Sequence, residues 1–306
     1  MKWIAGIDGG GSKTAVFLRS VSTGDELECR VESISPRDHG IEGYAARIGG
    51  ALDQLGVDGE DIAAVCVGVP CFGEYPALDR VVVARTQRLF PKAAVRCEND
   101  CFVGFAGAFG LKSGINMVAG TGAVAYGEDD HGHGARSNGW HHAFSDEGSG
   151  VWLGREAFSL FARQMDGRIE RSPFYDLFRR ELGLESDVDV IAYYTDHCEN
   201  DRAGLARTQE LLLQAARLGD EHAVALYQRA AEHLSRSVLA VYKRLDFEGE
   251  VRVSYSGGVF KADDFLLGPF SRLVRQEIPD SVISPPLYSP ERGAALAAER
   301  LLRESL

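Results

Sequence analysis

Nowhere do the 306 residues contain an apolar run long enough to cross a bilayer, which takes about 20 residues, so no membrane-spanning role is expected. The opening Met1-Lys2-Trp3-Ile4-Ala5-Gly6-Ile7-Asp8 meets an aspartate after a few apolar residues. That is too short for a signal-peptide core; it reads as a first strand, and a cytoplasmic protein is the expectation. Basic charge is also scarce: 33 Lys and Arg against 45 Asp and Glu give a net charge of −12, and the cations are scattered. Without a basic stripe, nucleic-acid binding is not expected. The acidic balance favours solubility, and any nucleotide would have to be held by backbone amides and a metal. The six cysteines, at 29, 66, 71, 97, 101 and 198, come with no secretion signal in a chain of this size, so reduced thiols are expected. Cys97 and Cys101 lack the second pair that a zinc site needs and read as apolar fillers.

What is present is the balance of a soluble globular protein, 45% apolar and 25% charged, with length for one large domain or two ordinary ones. Strands are expected over Lys2 to Ile7, Thr14 to Leu18 and Glu26 to Val31, then a helix over Ile41 to Leu55 closed by Gly56. Ile62 to Val69 reads as a strand covered on both faces. A helix over Tyr75 to Leu89, a strand over Ala94 to Cys97 and a helix from Asp100 to about Phe109 follow, making one α/β layer with a mixed sheet. The pattern then restarts: strand Ile115 to Ala119, turn Gly120-Thr121-Gly122, strand Ala123 to Tyr126, and a short strand near Ala135 to Asn138. Helices are expected from Val151 to Arg244 with one break around His197 to Arg202. A strand over Val251 to Tyr255, a helical stretch Phe260 to Ile278, a late strand at Val282 and a helix over Glu291 to Leu302 close the chain. Two segments of the form strand, glycine turn, strand point to an internal duplication. Two lobes are expected, residues 1–113 and 114–306, with the glycine turns facing across a cleft and the final helix (about 291–305) packing back on the first lobe.

Glycine turns beside strands suit phosphates, because without a Cβ the backbone N–H groups can close around oxygens. Gly9-Gly10-Gly11-Ser12-Lys13-Thr14 fits that description. It is not a P-loop: Gly6 and Gly11 have the spacing, but Ser12 intrudes before Lys13 and the following Ala15-Val16-Phe17-Leu18 is strand-like. No G-x-G-x-x-G leading into a helix is present either. A plain hairpin turn is the alternative, and Asp8 tilts against it, since a carboxylate beside a phosphate cradle makes sense facing a cation such as Mg²⁺. Ala119-Gly120-Thr121-Gly122-Ala123 is weak alone but supplies a second clamp when paired with the first. Tyr255-Ser256-Gly257-Gly258-Val259-Phe260 reads as a helix entry that can hold an anion or pack on a nucleotide. Asp100, between a strand and a helix, is either an N-cap or the base that takes a proton from an attacking hydroxyl. Asn138 to Gly150 mixes an aromatic, acids and small residues, and Asp146 with Glu147 is either a first-turn charge pair or a sugar-binding group. His131, His133, His141 and His142 lack a metal-binding spacing and read as a wet loop.

Taken in order, Asp8 to Thr14, Glu98-Asn99-Asp100-Cys101, Ala119 to Ala123, Gly139-Trp140 through Gly150, and Ser256 to Phe260 resemble the N-acetylglucosamine and glucosamine kinases of the BadF/BadG/BcrA/BcrD ATPase family. The resemblance runs from about residue 4 to the final helix. It implies a two-lobed, actin-like (ribonuclease H-like) α/β fold of duplicated mixed-sheet domains, with ATP and Mg²⁺ in the interlobe cleft, and often a homodimer. By position, Asp8 would face the metal and Gly10, Gly11, Ser12 and Lys13 would form the first phosphate loop. Thr121 and Gly122 would form the second. Asp100 would be the base at the sugar's primary hydroxyl, and Gly139, Trp140 and Asp146, with Gly122, would line the sugar. Ala203-Gly204 looks like the adenine-side helix start, and Gly257 and Gly258 would contact the nucleotide. The loop Ser33-Ile34-Ser35-Pro36-Arg37-Asp38-His39-Gly40 departs from the family, having an arginine and an aspartate where an asparagine is expected. That leaves a free amine, another sugar or a polyol open beside the N-acetyl group. The expected activity is ATP-dependent phosphorylation of an amino sugar. The alternatives are an ATP-driven activator of a partner reductase or dehydratase, and a sugar or nucleotide sensor without turnover.

Overall fold

The structure is a computed structural model and describes residues 2–11 and 13–304. In chain order it begins with strands β1 (Trp3–Gly9), β2 (Lys13–Ser20) and β3 (Glu26–Glu32), then helix α1 (Pro36–Leu55) and strand β4 (Ile62–Val69). Helix α2 (Pro76–Leu89), strand β5 (Ala94–Asn99), helix α3 (Asp100–Phe109) and strands β6 (Gly114–Ala119), β7 (Ala123–Glu128) and β8 (Gly134–Asn138) follow. Six helices come next: α4 (Gly150–Met165), α5 (Pro173–Glu181), α6 (Asp189–His197), α7 (Arg202–Arg207), α8 (Gln209–Arg217) and α9 (Glu221–Tyr242). Strand β9 (Val251–Ser256), helix α10 (Leu267–Glu277), strand β10 (Ser281–Ser284) and helix α11 (Pro290–Glu304) complete the chain.

The contacts divide the chain into two units, Met1–Gly114 with Pro285–Leu306, and Ile115–Ser284. The first unit's sheet has the order β3-β2-β1-β4-β5, with β1/β2 and β2/β3 antiparallel and β1/β4 and β4/β5 parallel. Side chains alternate across a strand. On β1 the odd positions Trp3, Ala5 and Ile7 enter a core with Tyr44, Ile48 and Leu52 of α1. The even positions Gly6 and Asp8 lie on the other face, where α11 packs on β1, β4 and α3.

The second unit's sheet has the order β10-β9-β6-β7-β8, with β6/β9 and β9/β10 parallel and β7/β8 antiparallel. Written as first, second, third, fourth and fifth strand of each unit, the two orders are the same. Its core joins Ile115, Met117 and Ala119 of β6 to Leu160 and Phe161 of α4, Phe174 and Phe178 of α5, and Tyr227, Leu234 and Val238 of α9.

The long helical stretch expected with one break has several. Gly167, Gly183 and Gly219 take the left-handed backbone and end helical turns, and Pro173 starts α5 at its first turn. The stretch Phe260 to Ile278 is a 3-10 segment, Gly258–Phe265, followed by α10, with Asp263 at φ 42° marking a kink before it. The expected loop Ser33 to Gly40 holds a helical turn: Ser35 caps it, accepting from Asp38 N–H at 3.4 Å, and Gly40 (φ 69°, ψ 170°) separates it from the rest of α1.

Candidate functional site

In the first unit, the ladder sets Asp8 opposite Gly68, and Gly68 opposite Glu98 at the end of β5. A side chain on Gly68 would come within 2.5 Å of Val103 and 3.4 Å of the Asp100 backbone, so the glycine lets the start of α3 close on β4. Asp100 is the first residue of α3 but not its cap. Asn99 is, its side chain accepting from Cys101 N–H at 3.0 Å and donating to Phe72 O at 2.9 Å. Capping therefore does not account for Asp100. The Asp8 carboxyl is pushed up from 3.8 to about 7, first by burial and then by the negative charges of Asp100 and Glu291. Glu291, in the first turn of α11, is itself buried. Three acids thus gather around the C-terminal end of β1.

The turn after Asp8 is shaped by the glycines. A side chain on Gly9 would meet Gly68 O at 2.6 Å and Ile34 at 2.7 Å. Gly10 N–H donates to Lys13 O at 2.9 Å within the turn, and Gly10 O accepts from Ser33 Oγ, just past β3, at 2.9 Å, so both polar groups of Gly10 are engaged. Thr14 is buried and accepts from Ile34 N–H at 3.1 Å. Gly11 and Lys13 are exposed at the tip. Ser12 lies outside the described residues.

The second unit repeats the device. Gly120 N–H donates to Gly122 O at 2.9 Å, and the turn is tied to α4 by Gly150 N–H to Gly120 O (2.8 Å) and Val151 N–H to Thr121 O (3.2 Å). Thr121 stands exposed at its tip. Gly257 brings the end of β9 against the same turn: at φ 103°, its side chain would meet Ala119 O at 2.2 Å and Gly120 N at 2.9 Å. Gly258 then opens the 3-10 segment. Ala203 sits in the first turn of α7, where Gly204 approaches His197 O so closely that a side chain would lie 2.5 Å from it.

Asn138 (φ 66°) organises the loop before α4. Its Oδ1 accepts from Gly139 N–H (2.9 Å), Ser145 Oγ (2.7 Å) and Asp146 N–H (2.7 Å), and its Nδ2 donates to Glu147 O at 3.2 Å. Gly139 (φ 73°) packs on Val124, and Trp140 is exposed with the Arg136 guanidinium 4.4 Å above its ring. Asp146 is buried at φ 65°; its Oδ1 accepts from Ala123 N–H at 3.3 Å and its Oδ2 lies 3.6 Å from the Arg202 guanidinium. Gly122 and Asp146 adjoin: a side chain on Gly122 would be 3.2 Å from both carboxylate oxygens. The polar turn further up belongs to a different arrangement. Burial would raise the Asp129 carboxyl, but amides of His133, Asp246 and His131 and the His133 ring hold it at about 2.

Within the first unit, then, Asp8 and Asp100 come together, and the glycine turn follows Asp8 directly in the chain. Within the second, Thr121, Gly122, Gly139, Asp146, Gly257 and the start of α7 come together. Sequence reasoning passed over Glu291, Asn138 and Arg202. The run Pro290-Glu291-Arg292-Gly293-Ala294-Ala295, a helix start followed by small residues, was a signal for a tightly docked helix carrying Glu291. Arg202 stands directly before Ala203.

Two units with one strand order, each with a glycine turn after its first strand, define the class: a two-lobed, actin-like α/β fold. The chain belongs to the BadF/BadG/BcrA/BcrD ATPase family, whose sequence profile matches residues 5–298. It is 28% identical over 288 residues to an N-acetylmuramic acid/N-acetylglucosamine kinase of Clostridium acetobutylicum, covering 91% of this chain and 92% of that one. An N-acetyl-D-glucosamine kinase of Dictyostelium discoideum is 26% identical over 308 residues, covering 96% of each. A structural-genomics structure from Chromobacterium violaceum, provisionally assigned as an N-acetylglucosamine kinase, superposes with a TM-score of 0.74 at 24% identity over 99% of both chains.

Proposed function

We propose that the protein is an ATP-dependent sugar kinase that transfers the γ-phosphoryl group to the primary (6-) hydroxyl of an amino sugar, glucosamine or N-acetylglucosamine. The observation that carries this reading is the placement of Asp100: first residue of α3, not its cap, and near enough to Asp8 to raise that carboxyl. Asp100 accepts the hydroxyl proton while the sugar oxygen bonds to phosphorus and the bond from phosphorus to the ADP oxygen breaks. The kinase relatives, which match over nine-tenths of the chain, support the substrate class.

Gathered acids raise one another's carboxyl unless a cation sits among them, so Asp8 with Asp100 and Glu291 fits a hard divalent ion. No group of three His, Cys, Asp or Glu suited to a metal exists among the described residues. Mg²⁺ takes one or two carboxylates and completes its shell with phosphate oxygens and water, so Asp8 alone suffices on the protein side. Asp8 would hold it, and when bound it would neutralise charge on the ATP phosphates. The exposed tips of the two turns, Gly11 and Lys13 in the one that Gly10 shapes and Thr121 beside Gly122 in the other, hold the phosphates, Ala203, Gly257 and Gly258 the nucleoside, and Gly139, Trp140 and Asp146 the sugar.

A coupled ADP-release assay with glucosamine, N-acetylglucosamine, N-acetylmuramic acid, glucose and mannosamine tests the proposal. Turnover on an amino sugar is expected, and Asp100→Asn should lower kcat about 100- to 10,000-fold with sugar binding retained. Silence on all five sugars, or near-normal turnover of the variant, would sink the reading.

A further inference from the structure

Arg202 is the one arginine paired, among the described residues, with Asp146, the buried carboxylate beside the Gly120–Gly122 turn. Its guanidinium lies 3.6 Å from Asp146 Oδ2, and the Asp146 side chain is only 6% exposed. The carboxylate oxygens lie 3.2 Å from where a side chain on Gly122 would begin, so Asp146 rests against the turn itself. The element bearing Arg202 is docked on the same place. A side chain on Gly150 would stand 3.1 Å from both Ala206 Cβ of α7 and Gly120 O of the turn. Arg202 is therefore positioned by close packing behind the turn.

This arrangement poses an electrostatic problem for a phosphate. An anion approaching Thr121 and Gly122 meets the Asp146 carboxylate at short range, where interior charges act strongly. A guanidinium answers it: five N–H donors in a rigid fork let one edge bind the carboxylate while another faces a phosphoryl oxygen. Half of the Arg202 side chain remains exposed for that purpose.

We infer that Arg202 is a further catalytic residue, gripping the terminal phosphoryl group of ATP at the Thr121–Gly122 turn, with Asp146 aiming its guanidinium. This rests on the kinase reading above. Such a residue discriminates a nucleoside triphosphate from a diphosphate, whereas a structural ion pair does not.

The test is calorimetric binding of ADP and of the non-hydrolysable β,γ-imido analogue of ATP, both with Mg²⁺, to the full-length protein and to Arg202→Gln and Arg202→Lys. The glutamine variant should bind the triphosphate analogue about 10- to 100-fold more weakly and ADP within about threefold of normal, with kcat down about 100-fold or more. The lysine variant should recover part of the triphosphate affinity through its point charge. Equal weakening of both nucleotides in either variant, or undiminished triphosphate binding, would overturn the inference. If the unaltered protein binds nucleotide but phosphorylates no sugar, the kinase reading fails while triphosphate discrimination by Arg202 still stands or falls on the same binding data.

Discussion

Asp8 carries a carboxyl that burial, Asp100 and Glu291 together lift from 3.8 to about 7. The folded protein therefore holds this proton more tightly than the unfolded chain does. Stability from the group is fully present below about pH 4 and is lost as pH rises to about 7, at a cost on the order of a few kcal/mol. Asp8→Asn removes the titration. We expect the variant to melt on the order of 5 °C above the unaltered protein at pH 8, to show little difference at about pH 4, and to lose most Mg²⁺-dependent turnover. Paired melting curves at the two pH values check this, and a variant less stable at both would show Asp8 to be a structural residue. Asp8 and Asp100 were legible in the sequence because each stands at a strand end beside a glycine turn or a helix start. Glu291 was not: the small residues Gly293-Ala294-Ala295 signal a tightly docked helix, but not that it docks beside Asp8. The sequence left Asp100 as either a cap or a base, and Asn99, which caps equally well, takes the cap in the structure.

The docking of α11 is set by glycines. A side chain on Gly6 would fall 2.0 Å from Glu291 O and 2.3 Å from Ala295 N, and one on Gly293 would fall 2.1 Å from Gly107 N and 2.6 Å from Val103 O. These neighbours are backbone and cannot rotate away. Gly6→Ala should therefore shift α11, carry Glu291 off Asp8, and cost about 3 kcal/mol or more, with activity falling alongside. Gly50, exposed in α1 with nothing within 4 Å of a side chain, is the control: Gly50→Ala should stabilise by about 0.5–1 kcal/mol without touching activity. Denaturant melts and kcat for both variants separate close contact from helix propensity, and equal effects would refute the docking argument. Elements with a strong period were readable: Ile62–Val69 and Asp100–Phe109 are observed at the limits expected from sequence. The breaks between α4 and α9 were missed although Asp166-Gly167, Ser172-Pro173 and Gly183 stand among polar residues as turn signals, because a long helical run was read across them.

The whole molecule is assembled from one uninterrupted segment and one split segment. The chain leaves the first unit after Gly114, builds the second over Ile115–Ser284, and returns at Pro285 to finish the first. The repeated strand order was foreshadowed by two glycine turns at matching places, whereas no periodicity in the sequence marks the return. The two units should consequently depend unequally on the C-terminus. Removing Pro285 onward strips α11 from β1, β4 and α3 and exposes the apolar surface that Ala294, Ala295, Ala297 and Ala298 bury, including the backbone at Gly6 and Gly107. It removes nothing from the sheet or core of the second unit. Limited proteolysis of a chain ending at Ser284, read by mass spectrometry, should therefore digest residues 1–114 and leave a resistant fragment of about 115–284, while the full-length protein resists in both parts. Survival of the first 114 residues to the same extent as the rest would mean that α11 is an accessory to the first unit, and that the closeness of Glu291 to Asp8 is not what holds it together.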